Sequence, residues 1–211
     1  RVLDVDALRA AVARARELGA VIASDECYAE LGWDGRWSTE RVPTVLDPAV
    51  TGGRLDDLLA VYSLSKQSNL AGYRAAFVAG DASLIARLIT GRKHLGLIPP
   101  APVQAAMAVA LADDGHVEEQ KALYRARRDI LRPAIEAAGF RIDRSEGGLY
   151  LWATEGRDAW ESVGRLADLG ILVGPGTFYG AHHPQHVRFS LTATDERIAA
   201  AARRLTASAG S

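Results

Sequence analysis

The chain has 211 residues, 48% of them hydrophobic and 24% charged, with a formal net charge of −1 at pH 7. This length is enough for one large domain, or for one domain and part of another, around a buried core. The near-neutral charge exerts no long-range attraction on nucleic acid or an anionic membrane surface, so we expect neither partner. Cys27 is the sole cysteine, which excludes an intrachain disulfide and favours a reducing, cytoplasmic compartment. No apolar run approaches the ~18 residues that a membrane-spanning helix needs.

The first third of the chain has the pattern of a helix followed by short strands. Residues 4–18 show the apolar spacing of an amphipathic helix, which Asp4 or Asp6 can cap and Gly19 can end. Three apolar runs then predict strands: "AVIASDECY", "LLAVYSLSK" and "AAFVAGD". Helices between short apolar strands indicate an α/β sheet with parallel pairs. Ligands bind such sheets beyond the carboxyl ends of the strands, where Asp25 and Lys66 are expected to lie.

The rest of the chain changes to long helices and a second group of strands. The run "HVEEQKALYRARRDILRPAIEAAGF" predicts a long charged helix, and "ILVG" (171–174) and "HVRFSL" (186–191) predict strands before a last helix. We therefore divide the chain into residues 1–116, part of a larger α/β domain, and residues 117–211, a smaller α+β domain that includes the connecting helix.

The opening helix and strand have no earlier strand to pair with. A parallel sheet built from residues 20–80 alone would have few strands and exposed edges. The sequence therefore predicts that this chain is the C-terminal part of a longer protein.

The segment "SLSKQSNLAGYR" contains an unusual lysine. Three of the 25 Lys and Arg residues are lysines, namely Lys66, Lys93 and Lys121. A lysine amine can lose its proton and form an imine with an aldehyde, whereas a guanidinium stays protonated. If that aldehyde is pyridoxal phosphate, the site needs a carboxylate for the ring nitrogen, a donor for the ring oxygen, and hydroxyls with an arginine for the phosphate. The substrate carboxylate needs a second arginine.

The sequence offers candidates for the ring and the phosphate. Asp25 at a strand end suits the ring nitrogen, and the hydroxyl of Tyr28 suits the ring oxygen. Ser63 and Ser65 precede the lysine, and Arg74 follows it, so these three suit the phosphate. Each residue has a structural alternative: a turn carboxylate, a core tyrosine, local hydroxyl caps or a surface ion pair.

The candidate for the substrate carboxylate is Arg188, which stands among apolar neighbours in "HVRFSL". Its structural alternative is a strand arginine at a domain edge.

Two other features are rejected as sites. The histidines of "HHPQH" lack nearby cysteine or acidic ligands, so no metal is expected. The segment "GPGTFYG" has the wrong spacing for a dinucleotide loop.

These motifs resemble those of the class I/II, fold-type I aminotransferases. "SLSKQSNLAGYR" is similar to the family's S-x-S-K and N-x-x-G-x-R lysine signature, "DECY" to its Asp-x-x-Tyr, and "VRFSL" to its late carboxylate-binding arginine. The resemblance implies a pyridoxal phosphate enzyme with Lys66 as the catalytic residue, amino acid and 2-oxo acid substrates, and a homodimer. It also implies an α/β domain with a mixed, mostly parallel sheet and a small C-terminal domain.

A narrower resemblance concerns the substrate. Three segments are similar in their general residue pattern to actinobacterial N-succinyldiaminopimelate aminotransferases: "PVQAAMAVAL", "SEGGLYLWAT" and "GILVGPGTFYG". This implies N-succinyl-LL-2,6-diaminopimelate and 2-oxoglutarate as substrates, in lysine biosynthesis. Two alternatives stay open: another enzyme with the same cofactor, such as a different aminotransferase or a carbon–sulfur lyase, and the effector-binding aminotransferase-like domain of a transcription regulator.

Overall fold

A computed structural model of the protein describes residues 2–209. The chain divides into two units: a first unit of residues 2–32 and 36–121, and a second unit of residues 33–35 and 122–209. The sequence prediction placed a domain division after residue 116, and that division stays a prediction. Among residues 2–209, no helix is long and apolar enough to cross a membrane.

The first unit contains a three-stranded sheet and surrounding helices. Its helices are α1 (Val5–Leu18), α2 (Pro48–Thr51), α3 (Leu64–Gln67), α4 (Ala82–His94) and α5 (Ala101–Leu111). Its strands are β1 (Ile22–Asp25), β2 (Leu58–Ser63) and β3 (Ala76–Gly80). The helix and the three strands predicted from the sequence are therefore confirmed.

The ends of α1 follow from local chemistry. Oδ1 of Asp4 accepts a hydrogen bond from the backbone N–H of Ala7 at 2.9 Å, so Asp4 rather than Asp6 is the N-cap. Gly19 ends the helix in the left-handed conformation with φ 60°. A glycine adopts this conformation at little cost in free energy, because it has no Cβ. The inner face of α1 is buried in a core cluster formed by Leu8, Val12, Val45, Val50, Leu58 and Ala60.

The sheet of the first unit is mixed, with strand order β1-β2-β3. β1 and β2 are parallel, and Asp25 pairs with Val61 in their register. β2 and β3 are antiparallel, with Ser63 opposite Ala76. Residues 64–75, which include α3, link β2 to β3 and return the chain in the opposite direction. In this unit the parallel arrangement is therefore limited to one of the two strand pairs.

The second unit contains a four-stranded antiparallel sheet with the order β4-β5-β7-β6. Its strands are β4 (Arg141–Ile142), β5 (Tyr150–Thr154), β6 (Gly174–Pro175) and β7 (His186–Ser190). Its helices are α7 (Ala159–Asp168) and α8 (Asp195–Ser208), and α6 (Gly115–Ala137) continues into it from the first unit. The strand predicted over residues 171–174 is confined to Gly174–Pro175, because only these two residues pair with β7.

An ion pair ties residues 33–35 into the second unit. Asp34 accepts hydrogen bonds from Nη2 of Arg128 at 2.5 Å and Nη1 of Arg132 at 3.0 Å. The Arg128 side chain is only 6% exposed, and Asp34 offsets the cost of burying its charge. The indole of Trp33 donates to the carbonyl of Gly148 at 2.5 Å, which fixes the same segment.

We expect Asp34→Ala to destabilise the second unit by about 2–3 kcal/mol, because it leaves the buried guanidinium of Arg128 without its carboxylate. Urea unfolding measures the loss. Asp56→Ala is the control, since Asp56 pairs with Arg54 on the surface with both side chains more than 60% exposed, and it should change stability by less than ~0.5 kcal/mol. Equal effects of the two variants would contradict the structural role of Asp34.

Candidate active site

The parallel pair of strands brings the predicted site residues of the first unit to one edge of the sheet. Asp25 is the last residue of β1, and Ser63 is the last residue of β2. Because the two strands run in the same direction, their carboxyl ends open at the same edge. Lys66 follows directly on α3.

The short helix α3 holds Lys66 in place. The Oγ of Ser63 caps it by accepting from the backbone N–H of Ser65 at 3.2 Å. Leu64, fully buried, packs with Ala75 and Met107 in a second core cluster. The backbone on both sides of Lys66 is therefore anchored, while its side chain stays half-buried and lies with Nζ 6.0 Å from the ring centroid of Tyr28.

The serines and Arg74 form a set of anion-binding donors. The Oγ atoms of Ser63 and Ser65 lie 2.8 Å apart. Arg74 adopts the left-handed conformation with φ 52°, and its Nη1 donates to the carbonyl of Ala71 at 3.1 Å. Within residues 2–209, Arg74 has no carboxylate partner, so its guanidinium charge is uncompensated. Hydroxyls and a guanidinium are the kinds of donor that a phosphate monoester requires.

The carboxylate of Asp25 is held on one side only. Its Oδ1 accepts from the backbone N–H of Cys27 at 3.2 Å and from the Cys27 thiol. In the described part of the chain Oδ2 accepts no hydrogen bond, and Asp25 is exposed. One carboxylate oxygen is therefore available to accept a hydrogen bond from a cationic donor, such as a protonated ring nitrogen.

Cys27 is a site residue that the sequence reasoning missed. Burial, and after it the hydrogen bond to Asp25, raises the pKa of the Cys27 thiol to about 11. At neutral pH the thiol is protonated and serves as a donor to Asp25. The spacing of the two residues in "DECY" is the only sequence signal for this contact.

A hydrogen-bonded chain of polar side chains begins at Gln67 on α3, and the sequence did not predict it. Gln67 is 6% exposed, accepts from the hydroxyl of Tyr62 and donates to Oγ of Ser68 at 3.3 Å. Nε2 of His116 lies 2.8 Å from the same Oγ, and Nδ1 lies 3.2 Å from Oδ2 of Asp113. No local pattern predicts this chain, because His116 stands 48 positions from Ser68 in sequence.

Arg188 lies in the second unit, on β7. Val187 and Phe189 are buried, so the alternation along the strand places Arg188 on the opposite face. Its Nε is buried and has no hydrogen-bond partner among the described residues. Its guanidinium carbon lies 4.0 Å from the ring centroid of Tyr150. The structure thus groups six of the seven predicted site residues in the first unit and places Arg188 in the second.

The histidine segment has structural contacts. The His186 ring stacks on Trp152 with centroids 5.3 Å apart, and its Nε2 lies 3.0 Å from Oδ2 of Asp143. Across residues 2–209, no group of three or more His, Cys, Asp or Glu side chains is arranged to hold a metal ion.

Comparisons with known proteins agree with this geometry. The family model of aminotransferase class I and II matches residues 1–205. The chain is 60% identical over 206 residues to the 4-dedimethylamino-4-oxo-anhydrotetracycline transaminase OxyQ of Streptomyces rimosus, covering 98% of this chain and 56% of that protein. It is 35% identical over 195 residues to an LL-diaminopimelate aminotransferase of Aquifex aeolicus, covering 90% of this chain and 49% of that protein.

A solved aminotransferase from Neisseria meningitidis has a similar fold. It superposes with a TM-score of 0.87 at 30% identity, over 98% of this chain and 53% of that one. The fold is therefore that of the fold-type I aminotransferases. The chain belongs to the class I and II aminotransferases, and it spans about half the length of the relatives it matches.

The side chains present fit the cofactor of this family. They include an amine on an anchored helix, a carboxylate with one free oxygen at the neighbouring strand end, two hydroxyls in contact with each other, and a guanidinium without a carboxylate partner. These groups match the aldehyde, the ring nitrogen and the phosphate of pyridoxal phosphate, respectively.

Because its pKa is about 11, the Cys27 thiol should react slowly with iodoacetamide at pH 8. The alkylation rate should rise about tenfold per pH unit from pH 7 to pH 10, since the thiolate is the reacting form. Mass spectrometry of the labelled peptide measures the rate. Asp25→Asn should raise the rate at pH 8, because it removes a negative charge beside the thiol. A rate that reaches a plateau below pH 9 would contradict the assigned protonation state.

Proposed function

We propose that the protein transfers an amino group between an amino acid and a 2-oxo acid with pyridoxal phosphate as cofactor. The observation that carries this proposal is the placement of Lys66 beside the carboxyl ends of two parallel strands, with Asp25 at the end of the neighbouring strand. The homodimer implied by the sequence resemblance and a cytoplasmic location belong to the same proposal.

Each residue then has a role that its chemistry allows. The bound cofactor supplies an aldehyde for an amine and a ring that accepts electron density when a proton leaves the substrate. Oδ2 of Asp25 holds a proton on the ring nitrogen, and the Tyr28 hydroxyl donates to the ring oxygen. Nζ of Lys66 accepts the proton from the substrate Cα and later returns one, as general base and then general acid.

The remaining residues bind anions. Ser63, Ser65 and Arg74 hold the cofactor phosphate, for which the uncompensated charge of Arg74 and the adjacent Oγ atoms provide the support. Arg188 binds the substrate carboxylate through a bidentate pair of N–H donors.

Lys66 should carry the cofactor covalently. Borohydride treatment of the cofactor-loaded protein should fix the cofactor to the peptide that contains Lys66, and Lys66→Arg should abolish both labelling and transamination. Peptide mapping by mass spectrometry distinguishes the three lysines. Labelling at Lys93 or Lys121 would contradict the assignment.

For the amino donor we propose N-succinyl-LL-2,6-diaminopimelate, with 2-oxoglutarate as acceptor, in lysine biosynthesis. The residue pattern of the three segments quoted above supports this choice. The similarity to the LL-diaminopimelate aminotransferase of Aquifex aeolicus also supports it, because that name specifies a related donor. The higher identity to OxyQ favours a second candidate, amination of a polycyclic ketone.

A donor and acceptor panel should separate these functions. We expect glutamate formation from 2-oxoglutarate to be at least ~10-fold faster with N-succinyl-LL-2,6-diaminopimelate than with LL-diaminopimelate or L-aspartate, a difference of about 1.4 kcal/mol in the barrier. A preference for 4-dedimethylamino-4-oxo-anhydrotetracycline as acceptor would support the second candidate. Release of a thiol and ammonia from cystathionine, without glutamate formation, would indicate a carbon–sulfur lyase instead.

A further inference from the structure

One face of the sheet in the second unit carries aromatic and cationic side chains. In the antiparallel register of β5 and β7, Trp152 lies opposite Arg188, and Tyr150 lies two residues further along the same face. The alternate residues Leu151 and Ala153 are buried on the other face. The strand pairing itself therefore sets Arg188 beside two aromatic side chains.

The guanidinium of Arg188 contacts two tyrosine rings. Its central carbon is 4.0 Å from the ring centroid of Tyr150 and 4.8 Å from that of Tyr179. Both distances are within the range of a favourable cation–π contact. Neither ring contact uses the N–H groups of the guanidinium, and Nε is buried without a hydrogen-bond partner among the described residues.

The backbone after β6 brings Tyr179 to this place. Tyr179 is the last residue of the 3-10 helix Gly176–Tyr179, and its ring meets the edge of Trp152 with centroids 5.6 Å apart. Gly174, opposite Arg188 on β6, leaves room for the ring. A Cβ at Gly174 would lie 3.3 Å from the Tyr179 hydroxyl and 3.9 Å from Nε of Arg188.

We propose that Tyr150 and Tyr179 are positioning residues that fix the plane of the Arg188 guanidinium for bidentate binding of a substrate carboxylate. An unrestrained arginine has several rotatable bonds and loses that freedom on binding, whereas a guanidinium already in contact with two rings loses less. Neither ring carries a carboxylate that would compete with the substrate for the guanidinium. This inference rests on the proposed function, because it assumes that Arg188 binds the carboxylate.

The test compares ring-removing and ring-preserving variants in the cofactor-loaded enzyme. Tyr179→Leu and Tyr150→Leu should each raise KM for L-glutamate and for 2-oxoglutarate about 5- to 20-fold, with kcat changed less than twofold. Tyr179→Phe and Tyr150→Phe keep the ring faces and should keep KM within twofold of the wild type. Tyr179 is 46% exposed, so its replacement should be tolerated.

Phe178→Leu is the matched control. Phe178 belongs to the same 3-10 helix and is 68% exposed, and its ring contacts Trp160 rather than Arg188. Its KM should stay at the wild-type value. Where a leucine variant loses its cooperative thermal transition, methionine at that position fills the volume without a ring and gives the same comparison.

Two further results separate this inference from the function beneath it. An Arg188→Lys variant with unchanged KM would overturn the carboxylate role of Arg188 itself. A raised KM in Arg188→Lys together with wild-type KM in both leucine variants would overturn the positioning role alone. Phenylalanine variants as impaired as the leucine variants would show that the hydroxyls act rather than the ring faces, and would also overturn it.

Discussion

The parallel pairing of β1 with β2 is the constraint on which the candidate site of the first unit depends. It places the last residues of both strands, Asp25 and Ser63, at the same edge of the sheet. A one-residue shift in this register would turn each side chain to the opposite face. The register is protected by burial, because Leu58 and Ala60 on β2 belong to the core cluster that α1 covers. Hydrophobic packing remote from the chemistry therefore determines where the carboxylate and the lysine helix lie.

Local signals in the sequence predicted the parts of the structure that depend on neighbouring residues. The Asp4 cap, the Gly19 helix end and the polar ends of β1 and β2 all follow from a few consecutive residues. The motif around Lys66 could indicate the cofactor for the same reason, since the lysine, the serine that caps its helix and the following arginine lie within twelve positions.

The parts that were not predicted depend on contacts between distant positions. The attachment of Trp33–Gly35 to the second unit relies on Arg128, which is 94 positions from Asp34. The hydrogen bond of His116 to Ser68 is likewise invisible in either local segment. The strand predicted over residues 171–174 failed for a related reason: its apolar residues have strand propensity, but the available partner strand pairs only with Gly174 and Pro175.

The two units restrain their long cationic side chains in different ways. The backbone of Lys66 is fixed by the burial of Leu64 and by the Ser63 cap, and neither of these contacts involves the amine itself. The guanidinium of Arg188 stays charged, so its proposed role depends on its orientation. Its side chain is accordingly contacted at the guanidinium itself, by two tyrosine rings. The proposed proton carrier is thus anchored through its backbone, and the proposed carboxylate ligand is contacted at its functional atoms.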